Sequence, residues 1–152
     1  MRILCAIGIR RGAELVKRLS QLISPTDELA LVHVVDTGPR HPVNHLEGHL
    51  RPHHMQREEL DAAEQEAGEA MLKEASEEAG RRGLRATTRL ERGRPEQVIV
   101  ALAYEIGSDL VALHARETPQ SHPRQGPPSV GHTARFIVDH APSDILLFRE
   151  RL

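Results

Sequence analysis

One stretch near the end of the chain, Asp109 to Phe148, limits the possible folds more than any other. It opens with Asp109-Leu110-Val111-Ala112-Leu113 and closes with Ile145-Leu146-Leu147-Phe148, apolar runs of strand length that are too short for stable helices. Between them lie a proline-laden loop, 117–130, and a helix-like segment from Val130 to Ala141. A strand, loop, helix, strand succession is a crossover, so its two strands run parallel and its loop sits at their C-terminal ends. Ligands of open parallel sheets bind at that edge.

The preceding residues repeat the alternation. Ile3 to Ile7 reads as a buried first strand ending at Gly8, and Leu15, Leu19, Leu22 and Ile23 follow as the stripe of a helix lying on a sheet, ended by Pro25. Glu28 to Val35 is a second buried strand, stopped by the turn chemistry of Asp36-Thr37-Gly38-Pro39. Arg57 to Arg82 is a long, charged, Ala-rich helix with the pairs Glu69–Lys73, Glu77–Arg81 and Glu78–Arg82 at i, i+4, closed by Gly83. Its apolar stripe, Leu60, Ala63, Ala67, Met71 and Ala75, is thin, which predicts shallow packing and fraying. Leu84, Ala86, Thr88 and Leu90 alternate with polar residues, as in a half-exposed edge strand. After Gly93-Arg94-Pro95, a helix with core residues Val98, Ile99, Leu102 and Ile106 runs to a stop at Gly107. The count is five strands and four helices in one α/β domain, 1–152. The last strand, Ile145 to Phe148, is uncharged although a doubly wound sheet places it at an edge, so either a helix shields it or a second copy pairs with it.

Charge and cysteine usage narrow the function classes. A formal net charge of −2 gives no basis for a nucleic-acid or anionic-membrane surface. The single Cys5 sits in the first apolar run, so no disulfide framework exists and a buried, inert thiol is expected. No run approaches the roughly 18 apolar residues of a membrane helix, and no signal pattern opens the chain, which makes cytoplasmic the expected location. Ten histidines are present, five of them between His41 and His54.

Those five belong to an insertion, 40–56, in which His41, His45, His49 and His53 recur every fourth residue. On a continuous helix such spacing suits zinc, nickel or copper. Pro42 and Pro52 confine any helix to Val43–Arg51, leaving His45 and His49 as the candidate metal pair, against a solvated loop that titrates near pH 6.5. The order H-x-E-x-H does not match the metalloprotease H-E-x-x-H. His33 and His140 read as structural histidines.

A pocket in such a sheet would be lined by the ends of the first and fourth strands. The candidates are Gly8, Arg10, Val35, His114, Arg116, Gly131, His132 and Thr133. Gly8-Ile9-Arg10-Arg11-Gly12 is neither a dinucleotide turn nor a P-loop. Arg10 and Arg11 approach a helix N-terminus, where the dipole disfavours cations, so either an anion offsets them or they turn to water. Gly131-His132-Thr133 opens the fourth helix with Ser129 as a candidate N-cap, a start that suits a phosphate and equally a helix without a ligand.

The run from Asp109, then Gly131-His132-Thr133-Ala134-Arg135-Phe136-Ile137-Val138-Asp139-His140-Ala141-Pro142, then Asp144 to Phe148, resembles the C-terminal pattern of the universal stress protein family, D-L-I-V-M-G-x-R-G, a loop, G-S-V-x-x-x-V-x-x-H-A-P and a last apolar strand. Ile3 to Ile7, Leu31-Val32-His33-Val34-Val35-Asp36 and Gly93-Arg94-Pro95 are similar to the family's V-A-x-D-G-S, L-H-V-x-D and G-x-P elements. The resemblance implies a three-layer, Rossmann-like domain of the adenine nucleotide alpha hydrolase type. Its parallel sheet would have the order 3-2-1-4-5 with four helices, usually dimeric through the last strand. ATP-binding members carry an Asp near the end of the first strand and wrap the phosphates with G-x-x-G, then G-[S/T]. Here Gly8 stands at the Asp position, His114 and Glu117 replace the paired glycines around Arg116, His132 follows Gly131, and the loop between is longer. Side chains at 114 and 117 would obstruct close backbone approach to a phosphate, and Glu117 adds like-charge repulsion. The usual ATP mode is therefore expected to be lost.

No nucleophile–base pair, paired carboxylates or closed metal site emerges. The expectation is a non-enzymatic stress-response protein, a homodimer through 144–149, with no nucleic-acid or membrane partner. Two alternatives stay open: nucleotide binding (ATP or AMP) through Gly131, Thr133 and arginine side chains, and zinc or nickel binding through the insertion.

Overall fold

The computed structural model describes residues 1–8, 11–38, 53–115 and 130–149, with 53–57 as main chain only. Strand and helix alternate in the order β1 (Arg2–Ala6), α1 (Gly12–Leu19), β2 (Glu28–Asp36), α2 (His53–Arg81), β3 (Ala86–Gly93), α3 (Pro95–Ile106), β4 (Leu110–His114), α4 (His132–His140) and β5 (Asp144–Phe148). The five strands are all parallel, in the order β3-β2-β1-β4-β5. This is the α/β sheet expected from the crossover stretch, with β3 and β5 at its two edges. Among the described residues, no helix is long and apolar enough to cross a membrane.

Side chains alternate across each strand, so the sheet carries a core on both faces. Ile3, Cys5, Leu29, Leu31, Ala112 and Phe148 meet α1 and α2 on one side. Leu4, Val32, Val111 and Leu113 meet α3 and α4 on the other. The near-continuous apolar runs of β1, β2 and β4 follow from burial on two faces at once. Cys5 is fully buried, as expected, and burial pushes its thiol pKa up to about 12.

The helices depart from expectation in informative ways. α1 ends at Leu19, and Leu22, placed on its buried stripe by periodicity, lies beyond it in a turn at 62% exposure. α2 begins at His53, so the last residues of the supposed insertion are helical. Of its expected stripe, Ala75 is buried and Met71 packs half-buried against the core, but the three N-terminal members do not. Leu60 is 52% exposed and Ala63 and Ala67 are exposed, while Gly68, Leu72, Ala75 and Ala79 are buried. Of the three anticipated ion pairs, Glu78–Arg82 forms at 2.8 Å. Arg81 turns to the same carboxylate at 2.7 Å instead of to Glu77.

Gly68 sets how closely α2 can approach. A methyl group there would come within 2.5 Å of His33 Cδ2 and 2.9 Å of Leu90 Cδ1. His33 is itself buried, with Nδ1 2.8 Å from the Ile7 carbonyl oxygen. That oxygen can only accept, so Nδ1 carries the proton. The imidazole thus ties β2 to the end of β1 under the glycine of α2, the structural role expected for it.

Candidate functional site

The candidate site is the C-terminal edge of the sheet where β1 and β4 lie side by side and the chain departs to opposite faces. β1 delivers the buried Ile7 and then the exposed Gly8, around which a side chain would meet no described atom within 4 Å. α1 starts close against this strand end. A methyl group on Gly12 would fall 2.6 Å from Ile7 Cγ2. Arg11, the N-cap of α1, has a left-handed backbone (φ 62°, ψ 33°) and is the one non-glycine residue with positive φ among those described. Its carbonyl accepts from Leu15 N–H at 3.0 Å, so the helix begins without a side-chain cap.

α4 supplies the second wall. Gly131 is its N-cap at φ 92°, a conformation that favours glycine, and its carbonyl accepts from Arg135 N–H at 3.1 Å. The first turn then exposes His132 and half-buries Thr133. His132 Nε2 lies 3.7 Å from Oε1 of Glu96, whose side chain is only 13% exposed in the first turn of α3. Farther along α4, Phe136 stacks on His140 with centroids 4.1 Å apart, and His140 Nδ1 lies 2.9 Å from the Phe136 carbonyl oxygen. His140 is therefore held by its own helix, although it stays exposed.

His114 takes another direction. It shares the sheet face of Leu110 and Ala112, the face covered by α1 and α2, whereas α4 covers the opposite one. Its Nδ1 lies 3.2 Å from the Phe148 carbonyl oxygen, and its ring meets the Phe148 ring edge-on at 6.3 Å. On the same phenyl ring, the Arg18 guanidinium sits 4.7 Å from the centroid and donates to the Arg149 carbonyl at 2.8 Å. The imidazole thus belongs to a clasp at the end of β5 and is not grouped with His132 and Thr133. Val35 is buried, on the face of Leu31 and His33, and does not open onto the edge.

The structure therefore gathers Gly8, Gly131, His132 and Thr133 at one sheet edge and turns the Val35 and His114 side chains away from it. Arg10, Arg116, His45, His49, Glu117 and Ser129 lie outside the described residues. Among the described residues, no group of three or more His, Cys, Asp or Glu could hold a metal ion. Glu96 was not foreseen. An acid in a helix's first turn is ordinary dipole chemistry, and nothing in the sequence distinguishes this one. Two open grooves among the described residues lie elsewhere, one of about 400 Å³ between α2 and β3 and one of about 390 Å³ at the N-terminal edge of the sheet.

Comparison with known proteins gives one consistent result. The profile of the universal stress protein family matches residues 1–149. None of the curated proteins matches the chain. Among solved structures, the universal stress protein UspA from Lactobacillus plantarum is similar at a TM-score of 0.71 and 24% identity, covering 98% of this chain and 97% of that one. A universal stress protein family protein from Arabidopsis thaliana with AMP bound is similar at 0.66 and 12% identity, over 99% and 92% of the two chains. The universal stress protein from Archaeoglobus fulgidus in complex with dAMP is similar at 0.63 and 15% identity, over 97% and 96%.

Proposed function

The chain belongs to the universal stress protein family, and from that premise we propose that it is a small cytoplasmic homodimer that acts by binding, without turnover. Its ligand at the β1–β4 edge is an adenine nucleotide with a single phosphate rather than ATP held in the family's wrapped mode. One observation carries this reading: the Glu96 carboxylate stands 3.7 Å from His132 Nε2 at the mouth of α4. The positive end of the helix dipole favours an anion, but a carboxylate already beside it repels each further negative charge. A monophosphate brings fewer such charges than a triphosphate. Among the described residues nothing stands within 4 Å of a side chain placed at Gly8, and the glycine start of α4 adds none, which supports placing a nucleoside on the β1 side. The AMP and dAMP in the Arabidopsis and Archaeoglobus proteins support the ligand class.

Titration calorimetry with AMP, ADP and ATP tests it. The expected result is binding of AMP with no gain from further phosphates, and Glu96→Gln should improve ATP binding by about tenfold, the scale of one removed charge contact. ATP bound more than tenfold tighter than AMP by the unaltered protein would overturn the reading.

A further inference from the structure

We propose that the outer edge of β3 is a docking site for an extended strand of a partner protein, with acidic and apolar residues in alternation. Thr37 N–H donates to the Gly93 carbonyl at 3.1 Å, which in a parallel ladder assigns Thr87, Arg89, Glu91 and Gly93 to β2 and turns the main-chain groups of Thr88, Leu90 and Arg92 outward. No strand among the described residues lies beyond them. Beside this edge runs the groove of about 400 Å³, to which α2 contributes Leu72, Lys73 and Ser76 with the acids Glu69 and Glu77, and β3 contributes Thr88 and Leu90.

Charge selects the occupant. Six arginines and a single acid, Glu91, fall within residues 81–94 of a chain that is otherwise acidic. Arg81 and Arg82 share the one Glu78 carboxylate, Arg89 is taken by Glu91 and Glu105, and Arg92 by Asp61. No carboxylate among the described residues pairs with Arg85 or Arg94. A second copy adding its own β3 here would set arginines against arginines, so the edge is defended against self-pairing. An acidic strand is complementary to it. The open row of alternating N–H and C=O groups matches a peptide main chain, which a nucleic-acid backbone cannot reproduce. Side chains of the added strand that face α3 approach Arg89, which reaches Glu105 of that helix, and are acidic, whereas Arg92 lies on the α2 side beside Asp61. Those that face α2 enter the groove over Leu72 and Leu90 and are apolar.

The probe is a fluorescent peptide in which Glu and Val alternate, titrated into the full chain and followed by anisotropy and by amide hydrogen exchange. The expected result is binding that slows exchange at Thr88 and Leu90 while Thr87 and Arg89, already bonded to β2, stay unchanged. Arg85→Glu with Arg94→Glu should weaken the peptide at least tenfold, and the unchanged exchange pattern of the free variant reports that it is folded. Equal binding of a peptide with its Glu and Val residues in two blocks would overturn the proposal. So would equal binding of a single-stranded oligonucleotide of the same charge, or no binding of the alternating peptide at millimolar concentration.

Discussion

At the scale of single residues, the contact between Gly68 and His33 is the tightest test of the packing. The 2.5 Å approach that a methyl group would make to His33 Cδ2 leaves no room for a side chain on α2. The neighbour it would meet is a buried ring fixed by a hydrogen bond to Ile7, not the free end of a flexible chain. Gly68→Ala should therefore destabilise the fold by about 1–3 kcal/mol, the usual cost of overpacking, even though alanine is the better helix former by roughly 1 kcal/mol. Urea denaturation measures it, and a variant as stable as the parent would show that α2 can lift from β2 at no cost. The importance of position 68 was hidden in the sequence because a glycine amid alanines carries no periodic signal. His33, in contrast, was readable as structural from its place inside an apolar strand.

At the scale of elements, the strands and the core face of α3 were legible, with Ile99 and Leu102 buried and Val98 and Ile106 packed against them, while most of the buried face of α2 was not. Burial on both sides leaves a parallel strand with an unbroken apolar run, so β1, β2, β4 and β5 stand out from the order of their residues alone. α2 offers two rows of small residues side by side, and only the shape of the sheet decides that Leu72, Ala75 and Ala79 go inward while Leu60 stays out. The same helix makes a pH prediction. Hydrogen bonds from Arg82 and then Arg81, with their charges, hold the Glu78 carboxyl below the usual glutamate range. A carboxylate with a depressed native value stabilises the fold above its unfolded value, near pH 4.3, and that contribution is lost as pH falls through the native value. Glu78→Gln should thus lower the melting temperature near pH 7, and the difference from the parent should shrink towards pH 3. A difference that is constant with pH would mean that the two arginines contribute nothing through charge. At the site, positions 114 and 131–133 were legible as a sheet edge, but the direction of the His114 ring was not, since it depends on the carbonyl of a strand more than thirty residues later.

At the scale of the molecule, the two edges of the sheet differ in kind. The ladder to β4 uses Asp144, Leu146 and Phe148 and leaves the main-chain groups of Ile145 and Leu147 facing outward, beside side chains that are half-buried and uncharged. Arg18 already occupies the Arg149 carbonyl, which limits how far a neighbouring strand can extend. If a second copy pairs at β5, Leu147→Lys should shift the protein from dimer to monomer in sedimentation velocity with its fold intact. A parent that sediments as a monomer, or a variant that remains dimeric, would count against pairing there. The opposite edge has the consequence that reaches farthest. Two copies joined back to back at β5 would hold their β3 margins at the far ends of one continuous sheet. A binding partner that carries two suitable segments on a tether of the right span would engage both at once. Its second attachment then occurs at the high effective concentration the tether sets, so a weak individual grip becomes a lasting one by avidity alone.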